Sequence, residues 1–274
     1  MQFIGSAQLG EPAQAVAKRA ASIIGLSMSD RHHWRSAYDA LNGWKDAIER
    51  QGVLVMHLNR VDVAEVRGIG IAERVFPLIA VNGKDSPNGR IFTLVHEFVH
   101  LMLGATGMSN MRLALRARTP EQRTEQLCNL VAGEVLVPGE AMLSHESLQD
   151  APDVADWPDE TIDDLARHFH VSREVVVRRL VILGRATSDF YRQKRRQYAK
   201  DYELAGKSTG GPMPMSRRII RAIGQPFARI ALGAYYREAI SSSDLAELLG
   251  ARLKHLPAVE QLLGGRNVLT GGDR

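Results

Sequence analysis

Apolar positions recur with a helical period near the start of the chain and with a strand-like period further on. Two helices are predicted from this spacing, from about Pro12 to Gly25 and from about Ser36 to Arg50. Three short runs with strand character follow, separated by polar or glycine-containing turns. These runs are Val53 to Leu58, Arg67 to Ala72 and Pro77 to Asn82. Together they predict a small sheet behind a helical scaffold.

Two further helices are predicted after the strands. The first runs from about Arg90 to Leu103 and is apolar around much of its circumference, so we expect it to be buried. A polar, basic connection from Ala105 to Arg118 leads to the second, which opens at Thr119 and Pro120 and ends near Val137.

The second half of the chain has a different organisation. An acidic, proline-bearing stretch near residue 150 precedes two helices joined by a turn at His170 to Ser172, which is the outline of a helix-turn-helix. The predicted regions are 1–150, a sheet with packed helices; 151–204, a basic helical segment; 205–215, a flexible linker; and 216–274, a C-terminal helical region with a disordered tail. The chain is therefore predicted to be α+β.

Composition excludes several classes of protein. The 274 residues are 45% hydrophobic and 24% charged, as in ordinary globular proteins. No apolar run approaches the roughly 20 residues of a membrane span, so we expect no membrane contact and a cytoplasmic location. The single cysteine, Cys128, excludes an intramolecular disulfide framework. The net charge of +4 permits contact with nucleic acid without demonstrating it.

Candidate chemistry lies on the apolar helix, in the segment His96-Glu97-Phe98-Val99-His100. Histidines at i and i+4 share one helix face and supply two ligands for Zn²⁺, while a glutamate at i+1 can act as the general base of a metalloprotease. The simpler interpretation is a pair of core histidines and a surface glutamate. Burial in so apolar a helix would be costly for these groups without a metal, which favours the zinc site.

A third ligand is expected from the next helix. Glu125 is the preferred residue, and Glu121 and Glu134 are alternatives on the same helix that spacing alone does not separate.

These two segments resemble the ImmA/IrrE family of bacterial and phage metallo-endopeptidases. The resemblance rests on Arg90 to Leu101, which contains the two histidines, and on Glu125 to Pro138. It implies a zincin-like domain with a small sheet on two active-site helices, and it selects Glu125 as the third zinc ligand. It also implies that the substrate is a helix-turn-helix transcriptional repressor. Within the family, the chain resembles the CapP-type proteases of anti-phage operons, which are linked to DNA-damage signalling.

The resemblance also assigns roles. His96, His100 and Glu125 would hold Zn²⁺, and Glu97 would move protons during peptide hydrolysis. The substrate is expected to pair with a strand at the sheet edge formed by Ile79, Ala80, Val81 and Asn82. Cys128 stands where the family commonly has alanine, three residues after Glu125. Its thiol is either an inhibitory zinc ligand in a resting state or a small buried side chain.

Basic residues concentrate between residues 167 and 200. The candidates for nucleic-acid contact are Arg178, Arg179, Arg192, Lys194, Arg195, Arg196 and Lys200. Single-stranded DNA bound there would activate the protease, whereas a solvated helix face is the simpler interpretation. The alternative function is a DNA-binding transcription regulator with a structural or vestigial zinc site. Glu97 favours the enzyme, because a structural site does not require it.

Overall fold

The fold consists of a small sheet within a mostly helical chain. A computed structural model describes residues 1–109, 119–149, 154, 156–204 and 213–264. The helices are α1 (Ala13–Ile24), α2 (Met28–Arg31), α3 (Ala37–Glu49), α4 (Pro87–Met102), α5 (Pro120–Leu136), α6 (Gly139–Leu143), α7 (Glu146–Gln149), α8 (Asp159–Phe169), α9 (Arg173–Ile182), α10 (Ser188–Leu204), α11 (Met215–Ile223), α12 (Gln225–Tyr236), α13 (Ser242–Leu248) and α14 (Leu256–Leu262). The strands are β1 (Leu54–Leu58), β2 (Gly68–Ile71), β3 (Leu78–Asn82) and β4 (Gly107–Ser109). The predicted α+β class is confirmed.

The four strands are ordered β1-β3-β2-β4. Strand β3 is parallel to β1 and antiparallel to β2, and β4 completes the sheet antiparallel to β2. The prediction that Ile79 to Asn82 lie at the edge of the sheet is therefore wrong, because β3 is paired on both sides. Ile79, Ala80, Val81 and Asn82 are all buried, and the Asn82 amide donates hydrogen bonds to the carbonyls of Val61 and Val66. Strand β4 lies in the stretch predicted to be a polar connection.

Helix α4 begins at Pro87, three residues before the predicted start. Ser86 caps it, since its hydroxyl accepts a hydrogen bond from the Gly89 N–H, and proline at the first position needs no hydrogen-bond donor. Every residue from Arg90 to Met102 is buried. The helix packs between α3 and α5 and against the sheet. Its apolar circumference is thus explained by neighbours on all sides.

One hydrophobic core extends from Phe3 to Tyr191. It includes residues of α8, α9 and α10, so the boundary predicted near residue 150 does not coincide with a break in the core. A second, smaller core joins α11 to α14 within the predicted C-terminal region. Residues 205–212 of the predicted linker and the predicted disordered tail after residue 264 lie outside the described residues. Among the described helices, none combines the length and apolarity needed to cross a bilayer.

Candidate metal centre

Three polar side chains from α4 and α5 converge inside the large core. His96 and His100 lie one turn apart on α4, and Glu125 approaches them from the second turn of α5. The two Nε2 atoms are 3.1 Å apart. Glu125 Oε2 is 3.3 Å from His96 Nε2, and Oε1 is 2.9 Å from His100 Nε2. Among the described residues, this is the one group of three or more side chains arranged to hold a metal ion.

The distances among these atoms fit a tetrahedral zinc ion. Bonds of about 2.1 Å to nitrogen and oxygen place the ligand atoms of a tetrahedron about 3.4 Å apart. The two histidine nitrogens are 3.1 Å apart, and each lies 2.9 to 3.3 Å from one of the two Glu125 oxygens, which is slightly shorter than this spacing. Two imidazoles and a carboxylate leave a fourth position for a reactant, as catalytic zinc sites do. The donor set therefore suits Zn²⁺.

Glu125 is the acidic residue of α5 that reaches the histidines. Glu121 lies on the exposed first turn, and Glu134 forms an ion pair with Arg179 instead. Helix α5 begins with a capping box made by Thr119 and Gln122, which fixes its start one and a half turns before Glu125. Of the three glutamates that spacing did not separate, Glu125 is therefore the one placed to act as the third ligand.

The far end of α5 is fixed by two buried arginines. Arg31 donates hydrogen bonds to the carbonyls of Val135 and Leu136. Arg179 donates to the carbonyl of Val137 and pairs with Glu134. These bonds satisfy carbonyls that the end of a helix leaves without partners. The helix that carries Glu125 is therefore anchored at both ends.

Electrostatics at the centre favour an ionised carboxylate. Burial would raise the pKa of the Glu125 carboxyl, but hydrogen bonds from His100 and His96 outweigh burial and lower the pKa to about 2. Burial opposes the charged form of His100, but its hydrogen bond to Glu125 and the negative charges of Glu97 and Glu125 together outweigh burial, so its pKa is raised. Glu125 and His100 thus stabilise each other's charged form, and a divalent cation would take the place of the histidine proton.

Glu97 lies beside His96 on α4 and is only 1% exposed. Its carboxylate rests against strand β2, where Gly68 and Gly70 have no side chains to exclude it. These two glycines are site residues that the sequence analysis missed. Their signal was the alternation Gly-Ile-Gly-Ile, because glycine inside a strand often marks a close approach of another group.

The comparison with family models agrees with this geometry. Residues 48–181 match Peptidase_M78, described as the IrrE N-terminal-like domain. This region belongs to the ImmA/IrrE family. The match extends from the end of α3 into the last turn of α9 and includes His96, Glu97, His100 and Glu125. A search of curated proteins found no match to the chain. Membership in this family supports a metallopeptidase-type function.

Within the M78 domain, Cys128 is fully buried on α5 and stands apart from the three-residue cluster. Burial, and then the nearby charges of Glu125 and Glu97, raise the pKa of its thiol. Leu127, Val131 and Ala132 of the same helix belong to the same hydrophobic core. This burial matches the interpretation as a small buried side chain, and the inhibitory role stays a prediction.

The nucleic-acid candidates divide into two groups. Arg179 is 1% exposed, and Arg178 donates hydrogen bonds to Glu174 and Tyr191. Lys194 is buried and pairs with Asp159 at 2.8 Å. The structure thus gives these three cations internal partners and corrects their assignment as nucleic-acid contacts. The candidates that remain exposed are on α10: Arg192, Arg195, Arg196 and Lys200.

Proposed function

We propose that this protein is a zinc-dependent endopeptidase whose centre consists of His96, His100, Glu125 and Glu97. The observation that carries the proposal is the convergence of His96, His100 and Glu125, whose ligand atoms lie within 4.8 Å of one another, with a buried carboxylate on the residue after His96. A structural zinc site is normally closed by a fourth protein ligand and has no need of Glu97. The described residues offer three ligands, which favours catalysis.

Each side chain has a defined task. His96, His100 and Glu125 would hold the ion, and zinc when bound supplies Lewis-acid chemistry and lowers the pKa of water. Glu97 accepts a proton from the attacking water and returns it to the leaving amide nitrogen, which makes it the general base and then the general acid. Burial of Glu97 keeps bulk water from competing for that proton.

The position of the substrate follows from the order of the strands. Strand β3 is interior, and α11 packs beside β1. Strand β4 pairs with β2 on one side, and no other described strand lies on its second side. Strands at a sheet edge bind extended peptides through backbone hydrogen bonds. The substrate is therefore proposed to pair with β4, in place of the strand expected from the sequence.

The proposed substrate is a helix-turn-helix transcriptional repressor, and single-stranded DNA is the proposed activator. The first rests on the resemblance to the ImmA/IrrE family. The second is supported by Arg192, Arg196 and Lys200, which recur at intervals of four residues along one exposed face of α10. The proposed setting is an anti-phage or DNA-damage response.

The alternative of a DNA-reading regulator is disfavoured by the packing of α9. A recognition helix must present side chains to the major groove. In α9, the residues Val175, Val176, Val177, Arg179 and Leu180 are buried. In this structure, the second helix of the predicted helix-turn-helix therefore packs into the hydrophobic core.

Zinc content and cleavage together test the proposal. Purified wild-type protein should contain about one zinc ion per chain and should cleave the helix-turn-helix protein encoded beside it. Glu125→Gln should lose both zinc and cleavage. Glu121→Gln, on the exposed first turn of the same helix, is the matched control and should retain both. Zinc binding that survives Glu125→Gln, or cleavage without bound metal, would contradict the proposed centre.

A further inference from the structure

Strand β2 turns a face without side chains toward the helix that carries the metal ligands. Its sequence alternates glycine and isoleucine from Gly68 to Ile71. Alternate residues of a strand point to opposite faces, so the two glycines share one face and the two isoleucines share the other. Helix α4 packs on the glycine face.

The space beside these glycines is filled by the Glu97 carboxylate. A Cβ atom at Gly68 would lie 2.6 Å from Glu97 Oε1 and 2.4 Å from Thr93 Cγ2. A Cβ atom at Gly70 would lie 3.0 Å from Glu97 Oε2. Non-bonded carbon atoms are most favourably separated by about 3.5 to 4.0 Å, so even alanine overlaps the carboxylate at Gly68 and crowds it at Gly70.

The backbone at Gly68 and Gly70 has little freedom to move away from Glu97. Strand β2 is paired with β3 on one side and with β4 on the other. A retreat from α4 would strain both ladders, whereas the Glu97 side chain can rotate. A side chain at position 68 or 70 would therefore displace the carboxylate before it displaced the strand.

We infer that Gly68 and Gly70 are positioning residues that hold the Glu97 carboxylate at the distance from the metal centre that proton transfer requires. This inference rests on the proposed function. A general base must lie within hydrogen-bond reach of the proton that it accepts, and small displacements of such groups are costly. The pair of glycines thus sets the position of Glu97, and the metal ligands are set separately by α4 and α5.

A graded series of alanine variants tests this role. Gly68→Ala should lower kcat most, by about 10-fold to 100-fold, because general acid–base catalysis contributes roughly that much or more. Gly70→Ala should have a smaller effect, because its contact is less severe. Ile71→Ala on the opposite face of β2 is the matched control, since it places no new atom toward Glu97. KM and zinc affinity, measured by competition with a chelator, should stay near wild type in all three.

A double variant separates displacement of Glu97 from strain against Thr93. Thr93→Ser removes the methyl group that lies 2.4 Å from the new Cβ and keeps the hydroxyl that donates to the Gly89 carbonyl. The variant Gly68→Ala/Thr93→Ser should regain thermal stability over Gly68→Ala but should keep its low kcat. The acid limb of its pH-rate profile should also shift, because the carboxylate occupies a new environment.

The outcomes separate the two hypotheses. Wild-type kcat in Gly68→Ala, or recovery of kcat in the double variant, would overturn the positioning role and leave the protease intact. A wild-type protein that binds zinc and cleaves nothing would instead overturn the proposed function. Loss of zinc in Gly68→Ala and in Gly70→Ala would assign the glycines to metal binding and would also overturn the inference.

Discussion

Arg179 links the helix of the predicted DNA-reading segment to the helix that carries Glu125. Its side chain is 2% exposed, pairs with Glu134 and donates to the carbonyl of Val137. Removing one partner of such a pair leaves the other without compensation in a partly dry site.

We predict that Arg179→Met lowers the free energy of unfolding by about 2 to 4 kcal/mol, because Glu134 loses its cationic partner and the Val137 carbonyl loses the Arg179 donor. Urea denaturation measures the change. Arg192→Met, on the exposed face of α10, is the control and should change stability by less than about 0.5 kcal/mol. Equal effects of the two substitutions would remove the structural role assigned to Arg179.

Glu49 gives the fold a predictable response to pH. Burial is the largest influence on its carboxyl and raises the pKa to about 7, and the attraction of Lys45 does not offset it. A carboxyl whose pKa is higher in the folded state stabilises the fold below its unfolded pKa. That contribution is lost as the pH rises through the folded value.

Glu49→Gln should therefore make the protein more stable than wild type at pH 8, by up to about 3 kcal/mol, since one pKa unit corresponds to 1.36 kcal/mol. The two proteins should be similar in stability near pH 4.5. Thermal unfolding between pH 4.5 and pH 8 measures the difference. A parallel pH dependence of the two proteins would contradict the assignment.

At the scale of elements, α4 and α5 were predictable because their signals are local. The apolar circumference of α4, the histidine spacing and the cap at Thr119 all lie within a few turns of helix. The strand order was not predictable from such signals. Strand β3 pairs with β1 and β2 at once, and that arrangement depends on contacts between segments distant in the chain. The sequence therefore indicated a sheet but not its edge.

The buried cations illustrate the same limit. Arg179 and Lys194 belong to a run of basic residues whose local pattern suits a nucleic-acid surface. Their partners Glu134 and Asp159 lie 45 and 35 residues away in the sequence. Which members of a basic run face solvent is decided by tertiary packing.

Helix α10 carries the prediction about nucleic acid. Arg192→Glu/Arg196→Glu should weaken binding of single-stranded DNA by about 10-fold or more at low salt, because phosphate contacts dominate such affinities. Fluorescence anisotropy with a labelled oligonucleotide measures the loss. Arg217→Glu/Arg218→Glu on α11 makes the same charge change at exposed positions elsewhere and should bind like wild type. If both double variants lose the same affinity for single-stranded DNA, net charge and not the exposed face of α10 governs binding.

At the scale of the whole molecule, zinc should stabilise the fold. The three ligands join α4 to α5 in the centre of the large core, and an ion that binds the folded state alone stabilises it by mass action. At a free zinc concentration about 100 times the dissociation constant, the gain is about 2.7 kcal/mol.

We predict that removing zinc with a chelator lowers the Tm of wild-type protein and that adding zinc restores it. Glu125→Gln should show little response to either treatment. Differential scanning calorimetry gives both values. An equal response in the variant would place the stabilising zinc elsewhere in the chain.

The most direct test of the account is cleavage of the neighbouring helix-turn-helix protein by Glu97→Gln, with the zinc content of the same preparation measured in parallel. The account predicts that zinc is retained, because Glu97 is not a ligand, and that cleavage falls by about 100-fold or more, because the proton acceptor is gone. Wild-type cleavage by a zinc-loaded Glu97→Gln protein would contradict the central claim.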